Sequence, residues 1–294
     1  MSARCRTPSR RGDRVGLILP SPGWAHCTSN ITGTPSTTVG TAVTAGANNA
    51  DGSSVALLTA VDHDVEYLVI QIAQFTLSGS LGKVLLDILV DPAGGSSWAS
   101  TPLIEDLLAG FTPSLSTVVG PTQSYHFPLW LPSGCSIGAR ARTAHTATIA
   151  GRVTMHAYGG NKRPDTWWCG RTVESVGITA ASSKGTDHTP GNSGAFSAWA
   201  SLGSVLSAPA GAVQFAVQGS DAASAANQYH FEFGVGSTRI GAPIWASFGT
   251  AESRAVSQQG LIFADLASGA QLEVRGTCSG ASPEAIDVAA YAVM

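Results

Sequence analysis

Charge is what this sequence has least of. Asp, Glu, Lys and Arg make up 12% of its 294 residues, about half the quarter that a soluble domain ordinarily carries. Sixteen Lys and Arg against nineteen Asp and Glu leave a net charge of −3, which excludes a global role in gripping nucleic acid or an anionic membrane surface. Long apolar runs are missing too. No stretch approaches the roughly 18 residues that a membrane-crossing helix needs, so no transmembrane segment is expected. Cysteine is scattered: Cys5, Cys27, Cys135, Cys169 and Cys278 form no C-x-x-C pair and have no His at zinc-ligand spacing, so the spacing suggests neither a zinc site nor a disulfide framework. Free or buried thiols suit a reducing cytoplasm. No cofactor and no metal is expected on these grounds.

What is present is a normal apolar share of 44% and 34 glycines, together with many Ser, Thr and Ala. That composition builds a real core from short strands, frequent turns and a neutral polar surface. The length suits two domains of ordinary size. Arg4, Arg6, Arg10, Arg11 and Arg14 precede a short apolar stretch, Val15 to Leu19, below the roughly 7 to 15 residues of a secretory-signal core. Residues 1–22 therefore read as an N-terminal arm, either a frayed end or a segment reaching a neighbouring subunit.

The two halves resemble each other. Val39-Gly-Thr-Ala-Val has a counterpart in Val176-Gly-Ile-Thr-Ala, 137 positions later. Leu131-Pro-Ser-Gly-Cys-Ser-Ile-Gly-Ala-Arg140 aligns with Leu266-Ala-Ser-Gly-Ala-Gln-Leu-Glu-Val-Arg275 at an offset of 135. Each half then closes on an alternating strand ending in Tyr, 151–158 in the first and 285–291 in the second. Between these anchors lie strands with period-two alternation: Tyr67 to Ala73 beside Ala212 to Gln218, and Val84 to Asp91 beside Tyr229 to Gly236. The turns between them, 77–82 and 219–224, have the Gly, Ser and Asp content that reverses a chain. Leu103 to Ala109 is the one stretch that reads as one or two helical turns. The expectation is an all-β chain of two tandem antiparallel β-sandwiches of jelly-roll type, at 23–160 and 166–294, related by internal duplication. The linker at 161–165 falls in the Gly/Asn/Pro cluster Gly159 to Pro164.

The repeated unit resembles small β-sandwich domains from structural proteins of tailed-bacteriophage virions. The carrying residues are Trp24 and Trp167 or Trp168, the strand with Asp87 at its middle, His126-Phe-Pro-Leu129, the turn and strand Pro132 to Arg140, and the closing Ala-Tyr-Gly159. The second half has Ile262-Phe-Ala-Asp265 in place of Phe-Pro-Leu. The resemblance implies a noncatalytic virion component, either a capsid decoration (cementing) protein or part of a tail or head fibre. It further implies synthesis in the host cytoplasm and partnership with other virion proteins.

Several motifs bear on chemistry. Gly191-Asn-Ser-Gly194 is similar to the nucleophile loop of chymotrypsin-like proteases, with His63 and Asp87 or Asp91 earlier in the chain. The stretch 187–194 reads instead as a loop built from turn formers, and a protease would need one fold across both halves, so no catalytic residue is assigned. Asp62-His-Asp-Val-Glu66 offers oxygen ligands for calcium, but it runs straight into a strand, where alternate residues point to opposite faces. It reads as a solvated lead-in. Trp98, Trp130, Trp199 and Trp245 are ordinary packing residues unless exposed, in which case they suit a sugar ring. That leaves a carbohydrate-binding adhesin, with a host-surface glycan as ligand, as the alternative function. His126, His145, His156 and His230 stand singly. Low charge and sandwich edges also point to association with copies of the same chain, as a homotrimer by analogy with virion symmetry.

Overall fold

A computed structural model describes residues 24–28, 40–76, 83–98, 102–112, 123–160, 168–219, 227–248 and 256–294. The arm at 1–22, the linker at 161–165 and the turn residues 77–82 and 220–224 lie outside the described residues. The chain is nearly all β. Its first half carries β1 (Ala25–Thr28), β2 (Thr41–Gly46), β3 (Val55–Leu58), β4 (Val65–Thr76), β5 (Val84–Asp91), β6 (Ile104–Leu108), β7 (Phe111–Thr112), β8 (Gln123–Phe127), β9 (Ser136–Thr143) and β10 (Ile149–Gly159). The second carries β11 (Val173–Val176), β12 (Ile178–Thr179), β13 (Lys184–His188), β14 (Ala200–Ser201), β15 (Ala210–Gly219), β16 (Asn227–Val235), β17 (Thr238–Arg239), β18 (Ile244–Phe248), β19 (Val256–Gln258), β20 (Ile262–Leu266), β21 (Leu272–Cys278) and β22 (Ile286–Val293). Ala180–Ser182 forms a single 3-10 turn. Among the described residues no helix is long and apolar enough to cross a membrane.

In the second half two sheets face each other. One runs β13-β22-β15-β19, and the other runs β14-β21-β16 with β18 on the far side of β16. Their inward side chains meet in one core, where Phe215 of β15 stacks on Phe233 of β16 at 4.2 Å between ring centroids. The first half repeats this order, with β2-β10-β4-β8 in one layer and β3-β9-β5-β6 in the other. A short parallel contact, Ala45 opposite Ala141, joins the two layers into one ten-stranded sheet.

Matched details recur at matched places. Leu131 pairs with Val65, and Leu266 with Ala210. The Ser-Gly turn after each Leu needs a left-handed backbone at its glycine, φ +85° at Gly134 and φ +81° at Gly269, which glycine adopts without strain. Gly134 N–H donates to Val61 O (2.6 Å) and Gly269 N–H donates to Leu206 O (2.8 Å). Arg140 stands opposite Asp87, and Arg275 opposite Glu232. The opening anchors do not match in this way. After Gly40 the chain enters β2, which pairs with closing strand β10, whereas after Gly177 it enters β12, which among the described residues pairs with β13 alone.

Two expectations are corrected. Leu103 to Ala109 is not helical: 104–108 is β6, an outer strand on β5. Asp106 sits there at φ +59°, with its N–H donating to Asp87 Oδ1 (2.9 Å). The side-chain acceptor and the sheet edge outcompete a helix too short to hold itself. The alternation of core and solvent also fails in the central strands, because all eight residues of β22 are buried. The outward side chains Ala289, Tyr291 and Val293 pack into the core cluster of the first half. Tyr291 marks this junction. Its hydroxyl accepts from Leu108 N–H (2.8 Å) and donates to Asp106 O (3.1 Å), and its ring meets Tyr125 edge-on. Ala at 212, 216 and 289 keeps this face flat enough for the halves to close on each other.

At the same junction, strand β8 presents backbone N–H groups that no strand accepts. Side-chain amides take that place: Ser124 N–H donates to Gln258 Oε1 (3.0 Å) and His126 N–H to Gln214 Oε1 (3.0 Å). An edge covered in this way is closed to further strand pairing.

Candidate functional site

The outer face of β18-β16-β21-β14 carries the largest exposed aromatic group among the described residues. Along β16, Tyr229, Phe231 and Phe233 point into the core, so the alternate residues His230 and Glu232 point outward. By the same parity Trp245 points outward between buried Ile244 and Ala246. Register sets His230 directly opposite Trp245 on one side and Thr277 on the other. Trp245 and His230 stack at 4.4 Å between centroids, 19° from parallel. Trp245 nevertheless remains 67% exposed.

A second layer lies over this face. The loop from Pro190 to Trp199 runs along β21, held by Gly191 N–H to Gly276 O (2.9 Å), Gly194 N–H to Cys278 O (2.9 Å) and Ser197 N–H to Gly276 O (2.9 Å). It delivers Phe196, 38% exposed, edge-on to His230 at 5.3 Å. Phe196 and Trp199 each lie against the Arg275 guanidinium, at 4.8 and 4.7 Å, a favourable placement for a cation over aromatic faces. A side chain at 234 would run into the Trp199 ring, so Gly234 is what lets Trp199 lie on the sheet.

Glu232 ties the charges together. Its Oε2 accepts from Arg275 Nε (2.8 Å) and Nη2 (2.6 Å), and its Oε1 from Arg239 Nη1 (3.0 Å). Burial pushes the Glu232 carboxyl up, but hydrogen bonds and charge from Arg275 and Arg239 outweigh it and hold the group below its ordinary value. The face therefore combines an exposed Trp-His-Phe surface with fixed donors and acceptors beside it. Such a combination holds a planar or amphipathic ring by stacking and orients it by hydrogen bonds.

The residues weighed for chemistry are dispersed. Ser193 lies in the loop just described, with its N–H donating to Gly280 O (2.8 Å). That N–H and Gly194 N–H are therefore both engaged rather than aimed at a substrate oxygen. His63 lies in the first half, with Nδ1 on Asp62 Oδ1 (2.6 Å) and no hydrogen-bond partner for Nε2. Asp87 is bound to Arg140, and Asp91 accepts from Ala93 N–H and Ser97 N–H. In the acidic run at 62–66, Asp62 and Asp64 are exposed and His63 is buried, as alternation requires, but Glu66 shares the parity of the exposed pair and is buried as well, so the run is a solvated lead-in only in part. Asp64 accepts from Ser133 N–H (2.8 Å), so the carboxylates form no oxygen cage.

Other residues come together without a signal in the sequence. His156 stacks with His26 and Tyr158. His188 meets Ser197 Oγ at 3.1 Å, and its burial pushes its pKa down to about 4. Trp245 and His230 are joined only by register, although the parity of Ile-Trp-Ala would have placed Trp245 on the outer face.

No family model and no curated protein matches the chain. Among solved structures, PNGF-II is similar at 8% identity and a TM-score of 0.31; the match covers 94% of this chain and 65% of that one. The tandem CBM22-1–CBM22-2 domain of Paenibacillus barcinonensis Xyn10C is similar at 9% identity and a TM-score of 0.28, covering 94% and 92%. Likeness this slight carries no argument.

Proposed function

We propose that this chain is a noncatalytic binding protein whose second half holds a sugar ring on the Trp245–His230 face. The observation that carries the reading is an indole two-thirds exposed and already held flat by a stacked imidazole. Pre-set aromatic planes bind the C–H face of a pyranose at little entropic cost, while the partly exposed Arg239 and Arg275 stand within the same face to meet hydroxyls. A glycan array probed with the full chain, followed by calorimetry on the best ligand, tests it. Trp245→Ala should weaken binding by about tenfold or more, as loss of an aromatic contact with its buried area implies. Binding unaffected by Trp245→Ala would place the glycan elsewhere.

We also propose that this face is carried on a tailed-phage particle, as a capsid decoration or fibre component. This rests on the residue resemblance over 23–160 and on a low charge that suits packing against copies of itself and other virion proteins. The same proposal takes the two halves as duplicated jelly rolls. The recurring strand order, the paired Leu131 and Leu266 turns, and the pairs Arg140–Asp87 and Arg275–Glu232 support it. Locating and counting the subunit in a reconstruction of the particle tests both the position and the trimer.

A further inference from the structure

We propose that Cys27, Asp62 and His63 form a binding site for a divalent cation of the zinc class, joining β1 to the turn that leads into β4. Pairing with β10 sets Cys27 opposite Ala157 and brings its Sγ to 3.3 Å from Asp62 Oδ1. The turn itself is fixed independently: Val61 N–H donates to Cys135 O (3.0 Å) and Gly134 N–H donates to Val61 O (2.6 Å). That frame places His63 Nδ1 2.6 Å from the same Asp62 oxygen. Three donor atoms of three chemical kinds thus lie within 4.8 Å of one another.

The second observation is the imidazole. The His63 side chain is 7% exposed, whereas that of Asp62 is 83% exposed, and the ring nitrogen turned towards the other two donors is Nδ1. A ring so deeply buried is held through Nδ1 alone, by a carboxylate that water can reach, which is weak support for a polar group taken out of solvent. A cation between the three donors would fix the ring and strand β1 together. Thiolate, imidazole and a single carboxylate select zinc or its softer neighbours, whereas calcium and magnesium require oxygen ligands in greater number. Three protein ligands leave one tetrahedral position for water.

The protons balance simply. The Cys27 thiol gives its proton to solvent and the sulfur lone pair goes to the metal. His63 binds as the tautomer with its hydrogen on Nε2, which leaves the Nδ1 lone pair for the second bond. Asp62 supplies a carboxylate oxygen as the third. No oxidant or reductant takes part.

Cobalt(II) titrated into the full chain is the test, because only a bound thiolate gives a near-ultraviolet sulfur-to-cobalt charge-transfer band. One such band is expected at a single equivalent of cobalt, displaced by zinc, with a higher Tm for the loaded chain. Cys27→Ser should abolish the band, and His63→Gln should weaken cobalt binding about tenfold or more, with both variants keeping the far-ultraviolet spectrum of a β protein. Absence of the band in the native chain, its persistence in Cys27→Ser, or unchanged affinity in His63→Gln would each overturn the proposal.

Discussion

Lys83 of the first half and Asp287 of the second meet at 2.9 Å, with the Asp287 side chain wholly withdrawn from solvent. Asp187 stands directly opposite Asp287 across β13 and β22. Burial first, then Asp187 nearby, pushes the Asp287 carboxyl up to about 7 against the opposing pull of Lys83. Asp187 takes the other side of the bargain: burial raises it, but hydrogen bonds from Lys184 and Asp287 bring it below its ordinary value. One proton shared between the two carboxyls is the arrangement this implies.

A pH dependence follows with a definite sign. The raised pKa means that the folded chain holds a proton on Asp287 which the unfolded chain has released by about pH 4. Its contribution to stability is full below that pH and is lost as pH rises towards about 7. Urea denaturation across this window should show Asp287→Asn lacking that decline, so that the variant gains on the native chain as pH rises.

Removing the partner instead leaves a buried carboxylate with no counter-charge from the first half. Lys83→Met should cost about 3 to 5 kcal/mol at pH 8, and less at pH 5, where Asp287 is protonated. Equal losses at the two pH values would show that Lys83 matters for packing rather than charge.

His188 gives the opposite slope. Its pKa is pushed down to about 4 by burial, so an unfolded chain takes up a proton near pH 6.5 that the folded chain refuses. Stability contributed by the neutral ring is present above that pH and lost as pH falls towards 4. His188→Gln keeps an acceptor near the Ser197 hydroxyl without an ionisable ring, and should flatten the acid limb of the stability profile.

Tyr291→Phe tests the junction of the halves. It leaves Leu108 N–H without its acceptor in a site sealed from water, which should cost about 1 to 3 kcal/mol. If the halves share one core, the loss should appear in a single transition, read together by near-ultraviolet dichroism and tryptophan fluorescence.

On the outer face of β16 and β21, Arg275→Met should destabilise the fold by about 2 kcal/mol, because Glu232 loses charge-assisted hydrogen bonds. It should also loosen Phe196 and Trp199, which flank the guanidinium. A thermal melt and acrylamide quenching of tryptophan fluorescence would report the two effects separately.

Much of the strand layout was legible in the order of residues, since period-two patterns such as Tyr229 to Phe233 and the Ser-Gly turns at 133–134 and 268–269 act locally. A glycine that must take positive φ, or a strand with one apolar edge, carries its reason within a few neighbours. Three features were not legible. Leu103 to Ala109 looked helical because nothing nearby in the chain reveals that Asp87 will capture the Asp106 N–H. The closing strand at 285–291 read as alternating, and its uninterrupted burial was not legible because the surface covering its outer face belongs to the other half. Trp245 was one tryptophan among seven until register put His230 against it. By itself the sequence determined an all-β chain, its turns and which side chains share a face of each strand, because those follow from backbone sterics and short-range periodicity. Only the tertiary structure decided what meets across sheets and halves, such as Lys83 on Asp287 or Cys27 beside Asp62 and His63. Those contacts are set by strand order and the closing of layers, and residues far apart in the chain carry no local mark of the partner they will reach.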